Sequence, residues 1–150
     1  MDFKEISIYQ GPELSPGYLL WRTSSLWRRM IEDALKPIKI THPQFVLLAV
    51  VAWHTKDGKT ATQVEIGRYA GLDPNTTSQV LRGLQKKGLV RRKHLTDERS
   101  KHPELTKEGA LCLKKAMPAV EQADEKFFQG LGTKEESFVK MLHTLAFKEK

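Results

Sequence analysis

The chain has one cysteine in 150 residues, Cys112. An internal disulfide is therefore impossible, and a reducing cytoplasm is the expected location. Long apolar runs are missing too. The longest, FVLLAVVAW from Phe45 to Trp53, is far short of the roughly 20 residues a membrane-spanning helix needs, so no membrane association is expected. The opening MDFKEISIYQ has no basic stretch followed by an apolar one, and no secretion signal is read there. No Gly-rich phosphate loop is present. Nor does any Ser, His and Asp pattern or carboxylate pair stand out, which argues against an enzyme. The five histidines, His42, His54, His94, His102 and His143, lack metal-ligand spacing, so neither metal nor cofactor is expected. Internal repeats and low-complexity segments are also absent.

What the chain does have is positive charge in one place. The net charge is +7, and between Lys86 and Lys101 seven basic residues face only two acidic ones, Asp97 and Glu98. Such clustering is the footprint of a polyanion contact.

Helical periodicity accounts for most of the chain. Residues 14–36 read as a long helix with Leu20, Ser24, Trp27, Ile31 and Ala34 on one face, ended by Pro37. THPQFVLLAVVAWH is a second helix, apolar on most sides and hence central, with Thr41 and Gln44 at capping-box spacing. KDG at 56–58 is a turn. TATQVEIGRYAG gives a short third helix with a second capping box, Thr62 and Glu65, and Gly71 just past its end. The next helix, 74–87, opens on Asp73 as N-cap and Pro74 at the first position, and turns Thr77, Val80, Leu81 and Leu84 inward. Thr106 caps a helix reaching about Gln129, which Pro118 is expected to kink. A GLGT turn then leads to a last helix, with a third capping box at Thr133 and Glu136 and an apolar stripe of Phe138, Met141, Leu142 and Leu145. Between Leu89 and Leu105 the pattern changes to two short runs around the polar turn TDERS, a β-hairpin with a basic tip. His94 and His102 are expected to face each other across it, gaining charge below about pH 6.5. Pro103 fits only an edge strand. Cys112, among apolar neighbours, reads as a small core residue ahead of a redox switch.

Two short helices joined by a tight turn and followed by a hairpin make a winged helix-turn-helix. The fold class is mainly α with a small two-stranded β wing. The start of the helix at 74–87 is polar, uncharged and mostly short-chained. In a helix-turn-helix that end enters the major groove, and Asn75, Thr76, Ser78 and Gln79 can hydrogen-bond base edges there. Arg82, one turn on, reaches a guanine or a phosphate. In the wing, Arg99 suits a narrow minor groove, where the negative potential is strongest. Asp97 can hold it or a neighbouring arginine, and Arg91, Arg92, Lys93 and Lys101 add phosphate contacts. The rival reading is a winged helix serving as a protein–protein adaptor. That reading predicts an apolar or acidic face where Asn75, Gln79 and Arg82 stand.

The stretches YLLWR, ITHPQFVLL, ATQVEIGRYAGLDPNTTSQVLRGLQKKGLVRR and TDERSKHPELTKEG, in that order, resemble the MarR-type transcriptional regulators. The resemblance spans about residues 14–147. It implies a homodimer whose N- and C-terminal helices intertwine, placing two winged helices on a palindromic operator, most simply as a repressor. The resulting division is an N-terminal segment and dimerisation helix over 1–36, a DNA-binding lobe over 37–105 and dimerisation helices over 106–150, within one compact domain. The resemblance also implies a small aromatic effector in a cleft, for which Tyr18, Trp21, Arg22, His42 and Trp53 are the candidates. Thr77 stands where that family more often has a branched apolar residue, and the reactive cysteine that its peroxide sensors carry near the chain start is missing.

Overall fold

The computed structural model describes residues 1–94 and 101–148. Six α-helices and one hairpin lie among them: α1 (Pro16–Leu35), α2 (His42–Thr55), α3 (Gln63–Tyr69), α4 (Pro74–Lys86), β1 (Val90–His94), β2 (Lys101–Leu105), α5 (Lys107–Phe128) and α6 (Glu135–Ala146). The chain forms two compact units, one of Ala34–Val120 and one of Met1–Asp33 with Glu121–Lys150. Both α1 and α5 run from one unit into the other. No helix among the described residues is long and apolar enough to cross a membrane.

In the Ala34–Val120 unit the helix starts are set by local hydrogen bonds. Thr41 and Gln44 form the expected reciprocal capping box on α2, as do Thr62 and Glu65 on α3. Each box satisfies two donors that a helix start leaves open. Gly71 follows α3 with φ +73°, the left-handed geometry that glycine adopts without a Cβ penalty. Leu47, Leu48 and Val51 of α2, Ile66 of α3, Leu81 and Leu84 of α4 and Val90 of β1 are buried. Each such side chain stabilises the fold by roughly 1.5–3 kcal/mol relative to exposure.

Thr77 is 1% exposed. Its hydroxyl is satisfied within α4 by donating to the Asp73 carbonyl at 2.8 Å, so a threonine serves where an apolar residue was the family expectation. Its position explains Gly67: a Cβ there would lie 2.4 Å from Thr77 Oγ1. The α3–α4 crossing is close because α3 has no side chain at that point.

Three expectations are corrected or refined. The wing register pairs Val90 with Leu105, Arg92 with Pro103, Lys93 with His102 and His94 with Lys101, so the two histidines are not opposite one another. This register sets apolar Val90 against apolar Leu105 and leaves Thr106 to cap α5. Pro103 sits in a two-stranded sheet, where every strand is an edge. The third capping box does not form. The chain enters α6 through a 3₁₀ segment, Gln129–Lys134, and the N-cap is Lys134 with αR backbone and no side-chain bond. A capping box needs an extended N-cap, which that entry does not supply. Pro118 lies inside α5, which runs as one helix from Lys107 to Phe128.

In the other unit, Trp27 Nε1 donates to Asp124 Oδ1 at 2.7 Å, joining α1 to α5. Apolar side chains are left open to solvent on its helices, among them Leu20 and Trp21 on α1 and Val139, Met141 and Leu145 on α6.

Candidate nucleic-acid interface

The start of α4 is built around Asp73. Its carboxylate accepts the Thr76 backbone N–H at 2.9 Å and the Thr76 hydroxyl at 2.6 Å. These bonds from Thr76 hold the Asp73 carboxyl below its ordinary range, so it is ionised at neutral pH. Thr76 was expected to read bases; here its hydroxyl proton is committed to the cap. Asn75, Gln79 and Arg82 are exposed and Ser78 is half-buried. At 100° per residue Asn75, Gln79 and Arg82 lie on the side of α4 opposite buried Thr77, Leu81 and Leu84, with Ser78 on the flank between. A row of amide and guanidinium groups, flanked by a hydroxyl, therefore points outward while the apolar side holds the helix in place.

The wing sorts its cations by strand alternation. Arg91 and Lys93 project to one face, where both bind Glu104: Arg91 Nε donates to Glu104 Oε1, and Lys93 Nζ lies 3.0 Å from the same oxygen. Partial burial opposes ionisation of Glu104. Hydrogen bonds from Lys93 and Arg91, together with their charges, outweigh it and hold the carboxyl below its usual range. Arg92 projects to the other face and is half-buried. Its Nε donates to Gln85 Oε1 at 3.0 Å and its Nη1 to Gln63 Oε1 at 3.1 Å. Expected as a phosphate contact, Arg92 thus spends two donors joining β1 to the end of α4 and the start of α3. Lys101 is exposed at the far end of β2. Asp97 and Arg99 lie outside the described residues.

Sequence reasoning missed Glu104, Gln63 and Gln85. Glu104 was legible only once a register placed it opposite Arg91. Its removal is testable. Glu104→Gln should raise affinity for random duplex DNA several-fold and steepen its salt dependence, because two cations are released from an internal carboxylate. Fluorescence anisotropy across a salt series reads both, and an unchanged slope would show that Arg91 and Lys93 do not act on DNA.

The residues proposed for an effector divide between the units. Tyr18, Trp21 and Arg22 belong to the unit containing α6, and His42 and Trp53 to the other. Trp53 carries the Lys56 ammonium 3.3 Å above its ring, a cation–π contact. Cys112 is half-buried in a groove with Ile38, Ile40, Leu89 and Leu111. Burial pushes its thiol up, against the pull of Lys87 and Lys115. A raised thiol is a poor nucleophile. Among the described residues no group of three His, Cys, Asp or Glu could hold a metal ion.

The sequence model described as MarR family matches residues 38–100. The uncharacterized HTH-type transcriptional regulator YdcH of Bacillus subtilis (strain 168) is 36% identical over 140 residues, covering 93% of this chain and 95% of its own length. The chain belongs to the MarR family. Two crystal structures carry the comparison further. Rv2887 of Mycobacterium tuberculosis, solved in complex with DNA, superimposes with a TM-score of 0.68 at 29% identity, over 87% of this chain and 97% of that one. The same protein was solved with salicylic acid, and is named a transcriptional repressor. CouR of Rhodococcus jostii RHA1 matches with a TM-score of 0.83 over 95% of this chain and 99% of its own, at 23% identity, and so speaks to the fold alone. The winged helix-turn-helix reading of the sequence holds, and with it the assignment to the MarR-type transcriptional regulators.

Proposed function

We propose that this MarR-family regulator is a repressor that binds an inverted-repeat operator as a two-fold homodimer and is released by a small aromatic ligand. The observation that carries the reading is the outward row Asn75, Gln79 and Arg82, flanked by Ser78, at the start of a capped α4. It offers hydrogen-bonding groups where a recognition helix meets base edges. The wing cations, together with Asp97 and Arg99 of the same segment of sequence, supply phosphate and minor-groove contacts. Operators of such dimers have half-site centres roughly one helical turn apart, about 10 base pairs. The crystal structure of Rv2887 with salicylic acid supports this class of effector.

Selection of bound duplexes from a random pool, followed by affinity against salt, tests the reading. The expected result is an inverted repeat bound far more tightly than random duplex, with a steep salt slope. Failure to enrich any site, with weak binding to random duplex even at low salt, would favour the adaptor reading instead. On the selected site, Gln79→Ala should lose discrimination at one base pair per half-site by about 1–3 kcal/mol. A loss spread evenly over all sequences would remove Gln79 from the base readers.

A further inference from the structure

By charge alone, Lys87 belongs to the basic run that points to a polyanion. The structure gives its ammonium other partners. Lys87 is the C-cap residue of α4, and its Nζ donates to the Lys39 carbonyl at 2.8 Å and to Gln44 Oε1 at 2.8 Å. Neither acceptor belongs to α4. Lys39 lies in the link before α2, with its backbone in the left-handed region at φ 61°. The same link is fixed by the Lys39 N–H, which donates to the Leu35 and Lys36 carbonyls.

Gln44 is the second half of this arrangement. It is buried, and its Oε1 accepts the Thr41 N–H at 3.1 Å as well as Lys87 Nζ. Its amide nitrogen reaches toward α4 one turn before Lys87: a Cβ on Gly83 would lie 3.1 Å from Gln44 Nε2. Gly83 and Lys87 are four residues apart and share a face of α4. One buried amide from the first turn of α2 therefore contacts two successive turns of α4. Gly83, a helix-interior glycine that costs roughly 1 kcal/mol of helix propensity relative to Ala, leaves room for it.

We infer that Lys87, acting with Gln44, is a positioning residue for the recognition helix and not a DNA contact. A 13-residue helix is a rod of roughly 20 Å, so a tilt at its C-terminal end displaces Asn75 and Gln79 at the other. Base readout depends on sub-ångström placement of such groups. Lys87 and Gln44 set the angle at which α4 leaves the lobe. The inference rests on the reading of α4 as a recognition helix.

Lys87→Met and Gln44→Met test it, with Lys86→Met as the neighbouring-charge comparison. Affinities for the selected operator and for random duplex are measured between about 50 and 200 mM salt. Both test variants should lower the ratio of operator to random affinity about tenfold while leaving the salt slope on random duplex unchanged. Gln44→Met alters no charge, but it also removes the α2 capping box, so thermal unfolding must show the variant fully folded at the assay temperature, and its loss of ratio then comes through positioning. A slope shallower by about one for Lys87→Met, with both DNAs weakened alike, is the signature of a phosphate contact and would overturn the inference. So would an unchanged ratio. Hydrogen exchange on free protein separates this outcome from failure of the operator reading. Lys87→Met should speed exchange of the amides from Leu84 to Lys87 even if no operator is found, and unchanged protection there would refute the positioning role of Lys87 by itself.

Discussion

A Leu142→Glu, Leu145→Glu double variant should sediment as a monomer and bind the inverted repeat at least a hundredfold more weakly than the native chain. On α6 the apolar residues at 138, 141, 142 and 145 follow helical spacing, yet Met141 is 58% and Leu145 59% exposed. Leu20 and Trp21 of α1 are open as well. Leaving so much apolar surface in water is unusual for a chain that works alone, and a second copy would cover it with the same surface, as an isologous dimer does. Two carboxylates in such an interface meet their counterparts across the two-fold and are stripped of water, which is costly unless they are paired. DNA affinity falls with the dimer because the second half-site is bound at high effective concentration only while the lobes are joined. Such linkage contributes about 10²–10⁴ in affinity. Lys140→Ala, on a residue paired at the surface with Glu136, is the control and should leave both mass and affinity as they were. If the double variant stays dimeric by sedimentation and keeps its circular dichroism, the α6 stripe is not the interface.

What was legible in the sequence was what local chemistry decides. Thr41 with Gln44, Thr62 with Glu65 and Asp73 with Pro74 are contests settled within one turn of helix, and their spacing names them. Thr133 with Glu136 has the same spacing and fails, because the chain arrives there in 3₁₀ rather than extended geometry. Spacing does not record the approach. The outward face of α4 was legible because its inner face is strongly patterned, and one face fixes the other.

The directions of the basic side chains were not legible. Lys86 and Lys87 are the same residue type at adjacent positions, but only the latter comes within reach of Lys39 and Gln44, more than forty residues earlier. Arg91 and Arg92 differ by one position in a strand. That single step sends one to Glu104 and the other to Gln63 and Gln85. A charge count sees four equal cations, whereas the fold uses three of them internally. Tertiary placement, and in the wing the register, separates a structural cation from a DNA-facing one.

Gly109→Ala should destabilise the fold by about 3 kcal/mol, although alanine is ordinarily the better helix former. A Cβ at Gly109 would lie 1.9 Å from the Leu89 carbonyl oxygen and 2.9 Å from its carbon. The obstacle is backbone, so no rotamer relieves it. That backbone is also stitched to the start of α5. The Thr106 N–H donates to the Leu89 carbonyl at 3.1 Å, the Thr106 hydroxyl donates to the Gly88 carbonyl at 2.6 Å, and the same hydroxyl caps the Gly109 N–H at 3.0 Å. Moving α5 away to admit a methyl group stretches all of these at once. It also shifts the link between α4 and β1, through which α4 joins the wing. Thermal unfolding should show a midpoint lower by roughly 10 °C for a chain of this length. Gly17→Ala, where a Cβ meets nothing within 4 Å, should instead be neutral or slightly stabilising. An unchanged midpoint for Gly109→Ala would mean that the α5 start yields without cost, and that Thr106 does not hold the wing to the helix behind it.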